Sequence, residues 1–231
     1  MKKHLVSGLA GPFLESKGAK IRQREAIRAF RLKQKSFELR TQSGKAVSGD
    51  ALILAVPPSC LSELLKGSWR QASSWDRLGK SSIVSVHLIF STGVLEDAVT
   101  GLSGAKFAWV FNRNASWGWR GEGQYLSFTA SAAEDLIRLQ DRELVDLAFR
   151  ELTHRCPAAS KIKILHSKVT REPAATMAWS PANDRLRPAG ETPFKNVFLA
   201  GDWTDTSLPA TLESACLSGH QAAQKVREVL S

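Results

Sequence analysis

Apolar and polar positions alternate along this chain in two rhythms. Near the C-terminus, Val197-Phe-Leu-Ala200 is a short continuous apolar run stopped by Gly201, which predicts a strand buried on both faces. From Leu212 the spacing changes. Leu212, Ala215, Gly219, Ala222, Val226 and Val229 recur every three or four residues, predicting one apolar stripe of a helix. Residues 50–57 form a second continuous apolar strand, closed by Pro57 and Pro58, which cannot continue a ladder. Ile53, Leu54 and Val56 are expected to be buried within it. Residues 83–90 alternate, putting Val84, Val86, Leu88 and Phe90 on one face and His87 on the other.

The remaining elements follow from turn and cap signals. Residues 4–17 read as a short helix ending at Gly18. Short strands are predicted at 20–24, 26–32, 37–41 and 45–48, with turns at 33–36 and at Ser43-Gly44. Residues 59–65 read as a helix with Ser59 as its N-cap. Strands at 107–111 and 124–128 flank a loop over 112–123. Ser131-Ala-Ala-Glu134 has capping-box spacing and predicts a helix running to about Arg155, with Ile137, Leu144, Leu147, Ala148 and Leu152 on its stripe. Pro157 stops that helix, and 161–169 reads as a strand. The sum is a mixed α/β chain with a meander, two apolar strands and an aromatic middle.

Candidate chemistry gathers at the turn between the last strand and the last helix. Free N–H groups and the positive dipole end at the helix start favour an anion or a polarised ring edge. Asp202 repels phosphate directly, but accepts hydrogen bonds from sugar-like hydroxyls or meets phosphate through water. The same spacing also suits a solvated turn. Trp109, Phe111, Trp117, Trp119, Tyr125 and Phe128 make the middle of the chain its most aromatic part, fit either to line a hydrocarbon pocket or to fill a core. His87 suits packing or the surface, and no side chain stands out as a catalytic acid or base. Arg171 and Glu172 suit an exposed ion pair of little energetic weight.

Composition narrows the class. At 231 residues with 43% hydrophobic content the chain buries a sizeable core and is neither disordered nor fibrous. Cys60, Cys156 and Cys216 follow no metal or redox spacing, so reduced thiols in a cytoplasmic setting are expected and no metal site. No apolar run approaches the ~20 residues of a membrane span. Residues 1–14 lack the unbroken apolar core and cleavage site of a signal peptide. The net charge of +10 is spread over solvated faces and no nucleic-acid-binding motif is present, so no nucleic-acid partner is expected. Peripheral contact with anionic lipid at the inner membrane face would use the same charge.

Leu199-Ala-Gly-Asp202, Thr211-Leu-Glu213-Ser-Ala215 and Ser218-Gly219 resemble the C-terminal flavin-binding motif of the FAD-dependent amine oxidase and phytoene desaturase superfamily. The run Gly-Asp-Trp-Thr with Leu-Pro-Ala-Thr-Leu-Glu is most similar to the squalene-associated FAD-dependent desaturases, or hydroxysqualene dehydroxylases. The resemblance implies an FAD cofactor bound by Gly201, Asp202, Thr211, Leu212, Glu213 and Ala215. Asp202 would lie near the ribityl-pyrophosphate region and the Thr211–Glu213 helix start against the isoalloxazine. It further implies adenine contact near residues 21–24, Arg187 and Trp179 near the cofactor, and an isoprenoid pocket using Trp109, Phe111 and Trp179.

The implied architecture is the C-terminal half of a two-domain oxidoreductase. Residues 1–58 and 171–231 would belong to the FAD-binding part and 59–170 to the substrate domain. A Gly-x-Gly-x-x-Gly after an opening strand, which holds the pyrophosphate, is absent from these residues. Either the sequence is a truncated or split product, or a separate polypeptide carrying that N-terminal half is the expected partner. The implied reaction is two-electron chemistry on an isoprenoid, reductive conversion of hydroxysqualene to squalene in hopanoid synthesis. Carotenoid desaturation, amine oxidation and a non-catalytic binding fragment are the alternatives.

Overall fold

The computed structural model describes residues 7–32, 37–65 and 69–231. Helix α1 (Ser7–Ser16) precedes a three-stranded antiparallel meander, β1 (Ile27–Leu32), β2 (Phe37–Thr41) and β3 (Ala46–Gly49). The turn expected at 33–36 lies outside the described residues. Residues 20–24 are not a strand. The apolar content of Lys20-Ile-Arg-Gln-Arg24 is one isoleucine, and no neighbouring ladder takes it up.

Strand β4 (Leu52–Leu54) follows, then α2 (Pro58–Leu64) and a 3-10 segment, Arg70–Leu78. Pro57 rather than Ser59 stands at the N-cap of α2, and no side chain caps it. Pro58 at the first helical position fits because its fixed φ suits a helix start and its missing N–H costs nothing.

The middle of the chain is a five-stranded antiparallel sheet in the order β6-β7-β8-β5-β9. Its strands are β5 (Ser81–Phe90), β6 (Val99–Gly101), β7 (Trp109–Asn112), β8 (Gln124–Ser131) and β9 (Ile164–Thr176). The loop expected between β7 and β8 contains a short helix, α3 (Arg113–Trp117), capped by the Asn112 carboxamide, which accepts from the N–H groups of Asn114 and Ala115. Strand β9 runs well past the expected end at 169 because β5 offers it a partner as far as Ser81.

Helix α4 (Asp141–Arg155) covers one face of this sheet. Its Leu144, Ala148 and Leu152 meet Val84, Val86, Leu88 and Phe90 in a single core. The helix begins nine residues later than the Ser131 spacing predicts, with Gln140 at its N-cap. Glu143 Oε2 accepts from the Gln140 N–H at 2.7 Å at the true start. Glu134 instead accepts from the Ser82 N–H at 2.9 Å, tying the preceding turns to the sheet, and these backbone bonds hold its carboxyl below the usual range.

The chain then returns through α5 (Pro181–Asp184) to β10 (Val197–Leu199) and ends in α6 (Leu212–Leu230). Strands β10 and β4 form a two-stranded parallel sheet. Strand β10 is buried throughout because its period of two feeds two cores. Val197 and Leu199 join Phe30, Phe37, Leu54, Leu61, Trp75 and Trp203, while Phe198 and Ala200 meet Ala222 and Val226 of α6.

Two expectations about burial fail here. In β4 and its extension Leu54 is buried, but Ile53 and Val56 are exposed. In α6 the buried positions are Ser214, Ser218 and Ala222, and Leu212 is 87% exposed. The helix turns its hydroxyls inward because they answer backbone groups of the β10–α6 loop. Ser218 Oγ accepts from the Gly201 N–H at 2.8 Å, and Ser214 Oγ donates to the Asp202 carbonyl at 3.3 Å.

Leu152 anchors α4 and is fully buried. Leu152→Ala is expected to destabilise the fold by about 2–5 kcal/mol, measured as a lower urea midpoint with an unchanged slope.

Candidate cofactor site

A cleft of about 670 Å³ opens at the carboxyl ends of β4 and β10, the place where parallel sheets present ligand sites. Three backbone segments form it: residues 55–60 after β4, 174–177 at the end of β9, and 200–203 after β10. Ala215 of α6 and Trp75, Asp76, Gly79 and Lys80 complete the wall. Most of the lining is small and apolar, so a flat ring system could approach the backbone closely.

Gly201 is required by this geometry. Its φ of 148° lies in a region that side chains avoid, and a Cβ there would stand 2.5 Å from Trp203 Nε1. The Trp203 ring lies 5.2 Å from that of Trp75, and both rings line the cleft. Their indole Nε1 atoms are buried with no hydrogen-bond partner among the described residues. The two rings wall the cleft, while their N–H groups are turned away from solvent.

Asp202 is half-buried and lines the same cleft. Its carboxylate accepts a long hydrogen bond from Thr176 Oγ1 at 3.4 Å, so most of its acceptor capacity is left for a ligand. The loop that carries it is held from beneath by Arg187, whose side chain is 3% exposed. The Arg187 guanidinium donates to the carbonyls of Leu208 (2.8 Å), Asp202 (3.2 Å) and Thr204 (2.5 Å), and to the Asp184 carboxylate (3.1 Å). Arg187 therefore shapes the site through the loop backbone.

The six cofactor candidates from the sequence divide into two groups. Gly201, Asp202 and Ala215 line the cleft. Thr211, Leu212 and Glu213 form the exposed first turn of α6, where Thr211 Oγ1 accepts from the Ser214 N–H at 3.5 Å as N-cap. Glu213 places its negative charge at the positive helix end. Sequence reasoning missed Trp75 and Lys80. Trp203 stood inside the quoted motif, but Trp75 lies far away in sequence with no local signal.

The aromatic candidates divide as well. Trp109 (53% exposed) and Phe111 are on the sheet face opposite α4, with Trp117 (52%) beside them. The Arg113 guanidinium sits over Trp117 at 3.9 Å and over Phe111 at 4.9 Å. Phe128 is turned to the other face and is core. Trp179 lies past β9, 68% exposed, and makes no ring contact among the described residues.

His87 also faces outward. Its Nδ1 is 3.0 Å from the Tyr125 hydroxyl and its Nε2 is 3.2 Å from Thr170 Oγ1. Burial, then the positive charges of Arg113 and Lys168, lower its pKa, while burial raises that of Tyr125. Both groups are neutral at pH 7. Among the described residues no group of His, Cys, Asp and Glu could hold a metal ion.

The flavin containing amine oxidoreductase family model matches residues 3–227. The chain is 31% identical over 216 residues to hydroxysqualene dehydroxylase of Sinorhizobium fredii, covering 91% of this chain and 47% of that one. It is 29% identical over 238 residues to 15-cis-phytoene desaturase of Solanum lycopersicum, covering 92% of this chain and 39% of that one. It thus spans less than half the length of these two relatives. An oxidoreductase from Methanosarcina mazei shares the fold, with a TM-score of 0.71 at 13% identity over 93% of this chain and 52% of that one.

Two outcomes are expected. Arg187→Met should destabilise the protein by roughly 3 kcal/mol and make the 202–208 loop sensitive to limited proteolysis. Because the folded-state pKa of His87 is lowered, its contribution to stability is present above the unfolded value of 6.5 and declines as pH falls below it. His87→Gln should flatten that part of the stability–pH curve in urea melts.

Proposed function

Because the chain belongs to the flavin containing amine oxidoreductase family, we propose that it is the C-terminal half of an FAD-dependent oxidoreductase of an isoprenoid, reducing hydroxysqualene to squalene. The observation that carries this reading is the cleft after β10, where Gly201, the Asp202 carboxylate, Ala215 and the walls formed by Trp75 and Trp203 converge. These residues fit the cofactor. Asp202 would accept from ribityl or ribose hydroxyls, Ala215 and the α6 start would border the ring, and Gly201 would let the backbone come close. When bound, the flavin supplies two-electron transfer to or from a substrate carbon.

The chain's own residues bind, orient and keep water out. Residues 1–58 and 171–231 serve the cofactor in this reading, and 59–170 serve the substrate. The phosphate-binding glycine fingerprint, missing from these residues, would come from the N-terminal half of such an enzyme, on a longer chain or on a partner polypeptide. The 31% identity to a hydroxysqualene dehydroxylase and the open aromatic sheet face favour a long apolar substrate. No helix among the described residues is long and apolar enough to cross a membrane. The net charge of +10 would let the assembly collect its substrate at an anionic bilayer surface on the cytoplasmic side. The similarity to a phytoene desaturase supports a second reading, with the same cofactor and a carotenoid precursor as substrate.

Co-expression with the N-terminal half of the Sinorhizobium fredii relative is expected to give a yellow complex that converts hydroxysqualene to squalene. Asp202→Ala and Glu213→Ala should each weaken flavin retention about tenfold, read by equilibrium dialysis. A colourless assembly overturns the cofactor reading. A yellow one that acts on phytoene and leaves hydroxysqualene untouched favours the second substrate.

A further inference from the structure

The outer face of the five-stranded sheet holds a cluster that the cofactor cleft does not use. Tyr125 of β8, His87 of β5 and Thr170 of β9 form a hydrogen-bonded row across three strands. Atom accounting leaves this row one valence short. If the Tyr125 hydroxyl donates to His87 Nδ1, then Nε2 carries the ring proton, donates to Thr170, and a lone pair of the phenol oxygen is unused. If Nδ1 carries the proton and donates to Tyr125, Thr170 donates to Nε2 and the phenol keeps its own hydrogen to give. Either tautomer leaves the Tyr125 oxygen able to pair once more.

The surroundings are aromatic. Trp119 packs edge-on against Tyr125 at 5.8 Å, and Phe111 and Trp117 hold Arg113 beside it. Arg113 makes no ion pair with a carboxylate among the described residues, and its Nε is buried and unpartnered. Two of the strands that carry the cluster reach the cleft. Strand β5 begins just after Lys80 and β9 ends at Thr176, both of which line the cleft. Thr170 lies six positions before Thr176 on β9, at most about 20 Å away along the strand. An extended isoprenoid chain spans such a distance.

We propose that Tyr125, oriented by His87, hydrogen-bonds the oxygen of an isoprenoid alcohol lying along this face, and that this contact selects alcohol over hydrocarbon. The assignment rests on the isoprenoid reading above and deepens it. A pure hydrocarbon covering the face would seal the spare valence of Tyr125 away from water with nothing to pair it, a cost that an alcohol avoids. The row is neutral, so the selection works through a hydrogen bond and not through charge. Aromatic faces already offset Arg113, one of the two cations nearby, the other being Lys168.

Titration of the purified chain with hydroxysqualene and with squalene, followed by tryptophan fluorescence, tests this. The alcohol is expected to bind about tenfold tighter than the hydrocarbon. Tyr125→Phe should bring the two within about twofold by weakening the alcohol alone, with an unchanged circular dichroism spectrum. His87→Leu, a second variant that leaves the phenol in place, should lose part of the preference. Equal binding of the two ligands to the unaltered chain, or a preference that survives Tyr125→Phe, overturns the Tyr125 assignment and leaves the isoprenoid reading standing. Binding of neither ligand overturns both.

Discussion

The Arg187 guanidinium holds the β10–α6 loop in place, and the candidate site depends on that loop. Three carbonyls of the loop, from Asp202, Thr204 and Leu208, point at one buried cation. A loop that turns its carbonyls inward needs a donor at its centre, since orphaned buried acceptors cost as much as lost hydrogen bonds. The cation in turn needs those dipoles, because its carboxylate partner Asp184 is half in solvent and screens poorly as a buried counter-charge. Each therefore stabilises the other, and the Asp202 side chain is left facing the cleft.

From that arrangement the rest of the cofactor region follows. Gly201 bends the chain out of β10 so that the Trp203 ring can lie where a Cβ would otherwise stand. Trp203 then seals the meander core beside Trp75, while Ser214 and Ser218 of α6 fasten the loop from the opposite side. The polar stripe on α6 is thus a consequence of the loop it faces. Small residues along 174–177 and at 200, 201 and 215 leave a cleft in which backbone, and not bulky side chains, would meet a ligand.

The five-stranded sheet is organised on a different principle. One face is a dry core under α4, fixed by the alternation of β5 and β8. The other carries hydroxyls, a neutral imidazole and exposed tryptophans, a surface adapted to contact something apolar with an occasional polar atom. Both faces come from the same strands, whose period of two separates core chemistry from surface chemistry residue by residue.

Periodic burial was legible in the sequence. β10, β5 and the meander strands were all visible there, as was the Gly201–Asp202 turn, because local alternation and glycine stops depend only on neighbouring residues. Helix α4 was placed but started too early, since Ser131 and Glu134 mimic a capping box whose carboxylate is in fact taken by the distant Ser82 N–H. The inward face of α6, the exposure of Ile53 and the length of β9 were decided by tertiary partners, whose backbone groups and pairing edges no local pattern encodes. Asp202 and Ala215 were identifiable one by one. Their convergence with Trp75, Thr176 and Arg187 required the fold, because those groups meet only when β4, β9 and β10 bring distant segments to one sheet end.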